Sequence, residues 1–199
     1  TDPGARGGSV GASGGVTPAA PMVDVDYCRL LARYNRWMNE RLFDACGRLD
    51  PAELSKDKGA FFGSVLGTLN HIAVADTIWL HRFAQHEAAF PVLAALSGFP
   101  RPSSLTQPLA PDLAGLGHYR REVDALIERW VAGLTPEHLS ADLAYSNMAG
   151  VRSVRCFGAL LLHFFNHQTH HRGQVTTLLC QAGVEVGVTD LLAVIPTTA

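Results

Sequence analysis

Apolar residues recur every three or four positions in four separate segments of the chain, a spacing that places them on one face of an α-helix. The first predicted helix covers about residues 24–47, and the second covers about 64–86, with Ser64 as its N-cap. The third covers 113–134 and the fourth covers 155–182. Each apolar stripe needs a partner to be buried, so the pattern predicts a bundle of four helices.

The segments between the helices differ in length and composition. Residues 91–111 contain five prolines, which predicts a long connection with at most one short helix that lets the chain cross the bundle. Residues 143–154 alternate weakly between apolar and polar positions around residues 147–150, which predicts a short hairpin before the fourth helix. The predicted fold is all-α, a four-helix bundle whose connectivity is not simply up and down.

The first 21 residues differ in composition from the rest of the chain. Six of the 19 glycines fall there, without aromatic residues and without a helical or strand period. We expect residues 1–21 to be a disordered or vector-derived extension, with Met22 as the natural start. Residues 22–199 are then expected to form one domain, and intact-mass analysis of the native protein tests this boundary.

Charge and composition narrow the class of protein. A formal net charge of −2 without a dense run of Lys or Arg argues against nucleic acid as a partner. No apolar run reaches the roughly 18 residues of a membrane span and no signal peptide is recognisable, so a cytoplasmic protein without a membrane partner is expected. The four cysteines lie far apart in predicted helices and are expected to be small buried side chains: Cys28, Cys46, Cys156 and Cys180.

The fourth predicted helix carries histidines between apolar ends of one stripe. The stripe consists of Cys156, Leu160, His163, His167, His170 or His171, Gln174 and Leu178. Because its ends are apolar, we expect its histidines to point into the bundle. His167 and His171 are one turn apart and can bind one metal ion together, but His163 and His167 have the same spacing. His71, on the stripe of the second helix, is the best third ligand, and the adjacent Asn70 could hold an imidazole or a water molecule.

The sequence lacks residues that two familiar kinds of metal site require. The zinc-protease pattern requires a glutamate directly after its first histidine, but Gln168 follows His167. Di-iron bundles require several inward glutamates, and no Asp or Glu occurs between Asp142 and Glu185. Three neutral histidines suit Zn, Ni, Cu or Fe rather than Mg or Ca, and they leave a coordination position open for water or a substrate thiol.

Three strings of the chain resemble the DinB-like (damage-inducible) family. They are Leu31-Ala32-Arg33-Tyr34-Asn35-Arg36-Trp37, Thr68-Leu69-Asn70-His71 and Asn166-His167-Gln168-Thr169-His170-His171-Arg172-Gly173-Gln174. The match spans nearly all of residues 24–195, and the third string is its most specific part. The resemblance implies an up-down-down-up four-helix bundle, a homodimer, and one metal ion held by three histidines. Carried over to this chain, these ligands are His71, His167 and His171.

The resemblance also implies an activity. Relatives with assigned chemistry include thiol S-transferases that use bacillithiol or mycothiol, and a mycothiol-dependent maleylpyruvate isomerase. A metal-dependent thiol S-transferase is therefore expected, in which coordination lowers the pKa of a low-molecular-weight thiol and the thiolate attacks an electrophile. Zinc is the expected metal, with nickel and iron as alternatives. A metal-dependent hydrolase and a non-catalytic protein that binds a metal or a small ligand stay open as alternatives. The lack of a recognisable general acid or base favours the non-catalytic protein.

Residues around the predicted metal site are harder to assign. Three side chains could line a pocket near the metal, although at helical spacing core packing is their commoner role: Tyr34, Met38 and Trp79. Arg172 and Gln174 are expected to anchor the fourth helix or to support the ligands. Asp76 lies well round the second helix from His71, so no catalytic role is expected for it.

Overall fold

The computed structural model describes residues 23–197, so the predicted extension at residues 1–21 and the predicted start at Met22 lie outside the described residues. This part of the chain contains six α-helices: α1 (Val25–Cys46), α2 (Pro51–Ser55), α3 (Val65–Phe83), α4 (Leu113–Ala132), α5 (Pro136–Ser140) and α6 (Phe157–Gln181). It also contains two 3₁₀ helices and one antiparallel hairpin: Pro91–Gly98, Leu191–Val194, and β1 (Asp142–Ser146) with β2 (Arg152–Cys156). The predicted all-α class, the short helix in the long connection and the hairpin are confirmed.

Side-chain caps fix where three of the long helices begin. Ser64 accepts a hydrogen bond from the Gly67 amide at 3.0 Å and caps α3, as the sequence predicts. Asp24 and Asp112 cap α1 and α4 in the same way. The last long helix has no such cap because it continues directly from β2. Since this strand includes Arg155, α6 begins later than the sequence predicts.

Contacts between α1 and α4 show that these two helices are antiparallel. Arg29, near the start of α1, donates to the carbonyl of Ala132 at the end of α4, with 3.1 Å between nitrogen and oxygen. Asn39, near the other end of α1, contacts Asp124, which lies earlier in α4. As the chain advances along α1, its partners on α4 therefore come from progressively earlier positions.

Contacts of α3 give the directions of the remaining long helices. The ring of Phe83, the last residue of α3, lies 5.2 Å from that of Trp130 near the end of α4, so these helices are parallel. Phe83 also lies 5.4 Å from Phe157 at the start of α6, whereas His71 near the start of α3 contacts His171 in the second half of α6. Helices α3 and α6 are therefore antiparallel, and the predicted up-down-down-up order is confirmed.

Two apolar clusters fill the bundle, one beside the hairpin and one towards the opposite end. The first is built around Phe83, Trp130 and Phe157, and the second around Met38 and Leu42. On every long helix, buried polar side chains separate the two clusters: Asn35, Asn39, Asp76, Arg120, Asp124, Gln168 and Arg172. We call these seven residues the polar layer. None of the helices within residues 23–197 has the length and apolar character that crossing a bilayer requires.

Ion pairs hold the polar layer together. The Arg120 guanidinium lies 2.5 Å from an oxygen of Asp76 and 2.9 Å from an oxygen of Asp124. Asn35 and Asn39 donate to the same Asp124 carboxylate at 3.1 Å and 3.0 Å. Because all five side chains are buried, these contacts replace part of the water that the charged groups lose on folding, while Oδ1 of Asp76 and Nε of Arg120 have no hydrogen-bond partner among the described residues. They join α1, α3 and α4 at one level of the bundle.

The four cysteines do not share one environment. Cys28 and Cys46 are buried as expected, and burial raises the pKa of their thiols to about 11 and about 12. Cys156 is half-buried at the end of β2. The expectation of a buried side chain is wrong for Cys180, which is exposed because the neighbouring Leu179 occupies the inward position on α6.

Arg120→Leu is expected to destabilise the fold strongly, because it leaves two buried carboxylates without their cation. We expect the free energy of unfolding, measured by urea titration, to fall by about 3–5 kcal/mol. Arg36→Leu is the matched control, since Arg36 pairs with Glu40 and Glu128 on the surface with half of its side chain exposed. That change should cost less than about 1 kcal/mol. Equal losses in the two variants would contradict this account of the polar layer.

Candidate metal centre

The antiparallel packing of α3 against α6 brings three histidines together. His71 comes from the first half of α3, and His167 and His171 come from successive turns of α6. One potential ligand atom from each residue lies within 4.8 Å of those of the other two. The Nε2 atoms of His71 and His167 are 3.3 Å apart. Among residues 23–197 this is the one group of His, Cys, Asp or Glu side chains that meets this spacing.

Two of the three imidazoles are oriented by oxygen atoms that accept from Nδ1. The Nδ1 atom of His71 lies 3.1 Å from the carbonyl oxygen of Leu105, and that of His171 lies 2.8 Å from Oε1 of Gln174. Since a carbonyl oxygen can only accept, each Nδ1 carries the proton and each Nε2 carries a lone pair, which in His71 accepts from Nε2 of His167. Gln174 therefore supports His171, which is one of the two roles that the sequence suggested for it.

The long connection between α3 and α4 supplies the oxygen that orients His71. Asn70 donates to the carbonyl of Gln107 at 2.9 Å and accepts from the amide of Leu109 at 2.9 Å. The sequence suggested that Asn70 would hold an imidazole or a water molecule, but it fixes the backbone of this connection instead. It thereby acts on His71 through the segment that carries the Leu105 carbonyl.

Phe62 covers one side of the histidine cluster. Its ring stacks on that of His71 with 3.6 Å between the centroids and 15° between the planes. It also meets His171 edge to face, with 5.5 Å between the centroids. Phe62 lies in the turn before α3, outside the helical pattern, so no sequence signal identified it as part of the site. The ring keeps water from this side of the imidazoles.

The histidine cluster lies at the margin of the bundle rather than in its core. His71 and His171 are buried, and His167 is half-buried. His163 and His170 are exposed, so the expectation that the stripe points into the bundle is wrong for these two residues. The physical reason is that Gln168 and Arg172 occupy the inward face of the same turns of α6, where they belong to the polar layer. The stripe therefore faces the edge between α3 and α6.

Burial keeps the clustered imidazoles neutral. Burial is the main reason that the pKa of His71 is lowered to about 4 and that of His167 to about 3, and the neighbouring imidazoles contribute to both shifts. The pKa of His171 is also lowered, mainly by burial, although its hydrogen bond to Gln174 opposes the shift. Neutral imidazoles are the form that binds transition metals, so at neutral pH no proton has to leave the site first.

A cavity of about 400 Å³ lies beside the cluster. Its walls include His71, His167, His163, Trp79, Arg82 and the hairpin turn at Asn147, Met148 and Ala149. Trp79 is therefore placed where the sequence suggested. Tyr34 and Met38 are not, because they line a separate cavity with Arg172 on another side of α6. Asp76 takes no part in the cluster, since it pairs with Arg120 in the polar layer.

Comparison with known protein families identifies the class to which this helical bundle belongs. The chain belongs to the DinB family, whose sequence model matches residues 22–198. This confirms the resemblance found in the sequence. The chain is 26% identical over 166 residues to Protein DinB of Bacillus subtilis (strain 168), covering 83% of this chain and 91% of that protein. The crystal structure of a DinB-like protein from Bacillus cereus ATCC 10987 has the same fold, with a TM-score of 0.51 and 21% identity, covering 78% of this chain and 91% of that one.

The metal-free protein is expected to lose stability in mild acid. Unfolded histidines bind protons below about pH 6.5, whereas in the folded chain burial holds the pKa values of His71 and His167 near 4 and 3. The unfolded state then binds more protons, so this contribution to stability is complete above about pH 6.5 and is lost as the pH falls towards 4. Urea unfolding at about pH 7 and about pH 5 measures this change in the free energy of unfolding. His167→Asn should flatten the pH dependence, and an unchanged slope would count against the neutral cluster.

Proposed function

We propose that the protein binds one divalent transition metal ion through Nε2 of His71, His167 and His171. The observation that carries this proposal is the distance of 3.3 Å between the first two Nε2 atoms. Zinc bound tetrahedrally at 2.0–2.1 Å requires its nitrogen ligands to lie about 3.3 Å apart, so this pair needs little movement to bind it. The neutral imidazoles and the oxygen acceptors at Nδ1 of His71 and His171 support the same conclusion. Zinc is the first candidate, with nickel and iron as alternatives.

We further propose that the protein is a metal-dependent thiol S-transferase acting with a low-molecular-weight thiol. Three protein ligands leave a coordination position open, and the ion would lower the pKa of a thiol bound there. In such a transfer the thiol loses its proton to solvent, its sulfur bonds to the electrophilic carbon, and the leaving group departs. The adjacent cavity of about 400 Å³ has room for a small electrophile, with Trp79 as an apolar wall.

The composition of this cavity favours thiol transfer over hydrolysis. Its described walls contain no Asp or Glu, and partial desolvation of the ring together with the nearby Arg82 lowers the pKa of His163, the additional imidazole there. A water nucleophile benefits from a nearby general base, whereas a thiolate is already the reactive form. The absence of a carboxylate base from the described walls supports thiol transfer, whereas the neutral imidazole of His163 is the base that hydrolysis would have to use.

Single substitutions separate the proposed ligands from their neighbours. His71→Ala and His171→Ala should each lose most of the bound metal, measured by elemental analysis of protein purified without a nickel column, because two imidazoles hold the ion far more weakly than three. His163→Ala and His170→Ala are matched controls, since they remove exposed imidazoles from the same helix. Both controls should keep about one ion per chain. Unchanged metal content in the two ligand variants would refute the site.

Conjugation of a thiol to an electrophilic dye tests the activity. The zinc-loaded protein should accelerate the reaction of monochlorobimane with at least one member of a panel that includes cysteine, glutathione, coenzyme A, bacillithiol and mycothiol. The acceleration should disappear after metal removal and in His71→Ala, and it should persist in His170→Ala. If no thiol reacts faster with the loaded protein than with the metal-free protein, the transferase proposal fails.

A further inference from the structure

Arg82 is a cation held in the wall of the cavity beside the histidine cluster. It lies in the last turn of α3, and its guanidinium carbon is 4.6 Å from the centroid of the Trp79 ring. The Tyr145 ring of β1 lies 5.3 Å from the same carbon. Stacking on aromatic rings holds a guanidinium in place by its faces and leaves its N–H groups, which lie in its plane, for other partners.

Within residues 23–197, this guanidinium has no carboxylate partner. Arg120 pairs with two carboxylates in the polar layer, and Arg36 pairs with two on the surface. For Arg82, burial lowers the pKa and the nearby Tyr145 opposes the shift, and no Asp or Glu acts on it. The described walls of the cavity also contain no Asp or Glu. A half-buried guanidinium without a counter-ion is only partly hydrated, so an anionic ligand in the cavity would be attracted to it.

The proposed metal ion makes the charge imbalance of the cavity larger. Three neutral imidazoles do not compensate a divalent ion, and Arg82 adds one further positive charge on the same cavity. A bound thiolate supplies a single negative charge. Because a guanidinium fork matches the two oxygens of a carboxylate, a ligand with a thiol at one end and a carboxylate at the other would neutralise both centres.

We propose that the substrate thiol carries a carboxylate and that Arg82 binds this carboxylate while the sulfur occupies the open position of the metal. This inference rests on the proposed function and adds the chemical class of the thiol. It makes Arg82 a specificity-determining residue that contacts the substrate away from the reacting sulfur. Thiols without an acidic group are then poorer ligands of the same metal ion.

A matched pair of thiols tests this proposal through binding rather than activity. 3-Mercaptopropionate and 3-mercapto-1-propanol have similar lengths and differ in having a carboxylate or an alcohol at the far end. In protein loaded with cobalt(II), the thiolate-to-metal absorption band reports the dissociation constant of each. We expect the carboxylate to bind about tenfold more tightly, as one charge-assisted hydrogen-bonded pair predicts. Arg82→Gln should abolish this preference and leave the affinity for the alcohol unchanged.

Control variants separate a local contact from a general charge effect. Arg155→Gln removes a charge of the same sign from an exposed position on β2 and should keep the preference. Arg82→Lys should keep part of it, because the charge remains while the fork is lost. A preference that persists in Arg82→Gln, or that is lost equally in Arg155→Gln, would overturn the proposal.

An NMR measurement on metal-free protein distinguishes failure of the Arg82 proposal from failure of the metal proposal. The Nε–Hε NMR signal of Arg82, assigned by its absence from Arg82→Gln, should shift with 3-mercaptopropionate and not with the alcohol. If neither these two thiols nor any member of the thiol panel gives an absorption band in cobalt-loaded protein, the thiol-transfer function fails. If both thiols give bands of equal affinity and the Arg82 signal does not shift, the function stands and the carboxylate assignment is wrong.

Discussion

Arg120 pairs with Asp76 and Asp124 in the interior of the bundle, and these buried ion pairs set the positions of the long helices relative to one another. They join α3 to α4, and the Asp124 carboxylate also accepts from Asn35 on α1. The Asn35 side chain accepts in turn from Arg172 on α6. All four long helices are therefore linked at one level. A helix that slid or rotated would leave buried charges unpaired, which costs several kcal/mol, whereas apolar side chains tolerate such shifts more readily.

The alignment of the helices that the polar layer fixes decides where the histidines lie. Asp76 follows His71 on α3 by little more than one turn, and Arg172 directly follows His171 on α6. Fixing the polar layer therefore fixes the height at which the two helices present their imidazoles. Phe62 and the long connection complete the site by excluding water and by supplying the acceptor for His71. The result is a cluster that burial keeps neutral, although Asp76 opposes the lowering of the pKa at His171.

Helical spacing and the family resemblance predicted the four long helices, their order and the three clustered histidines. Spacing alone could not distinguish the inward face of α6 from its edge, because Gln168 and Arg172 look like surface residues and the histidines look like buried ones. It also missed Phe62 and the Leu105 carbonyl, since a residue in a turn and a backbone atom leave no periodic signal. The predicted burial of Cys180 was wrong because spacing alone does not identify the inward face of α6. The homodimer, the cytoplasmic location and the single domain over residues 22–199 stay predictions.

X-ray absorption spectroscopy of the zinc-loaded protein counts and identifies the ligands of the ion, so it tests directly whether three histidines bind it. We expect three imidazole nitrogens at about 2.0–2.1 Å and one light atom from solvent, which a sulfur at about 2.3 Å replaces when a thiol is added. A spectrum with fewer than three imidazoles, or with protein sulfur bound before any thiol is added, would contradict the three-histidine site.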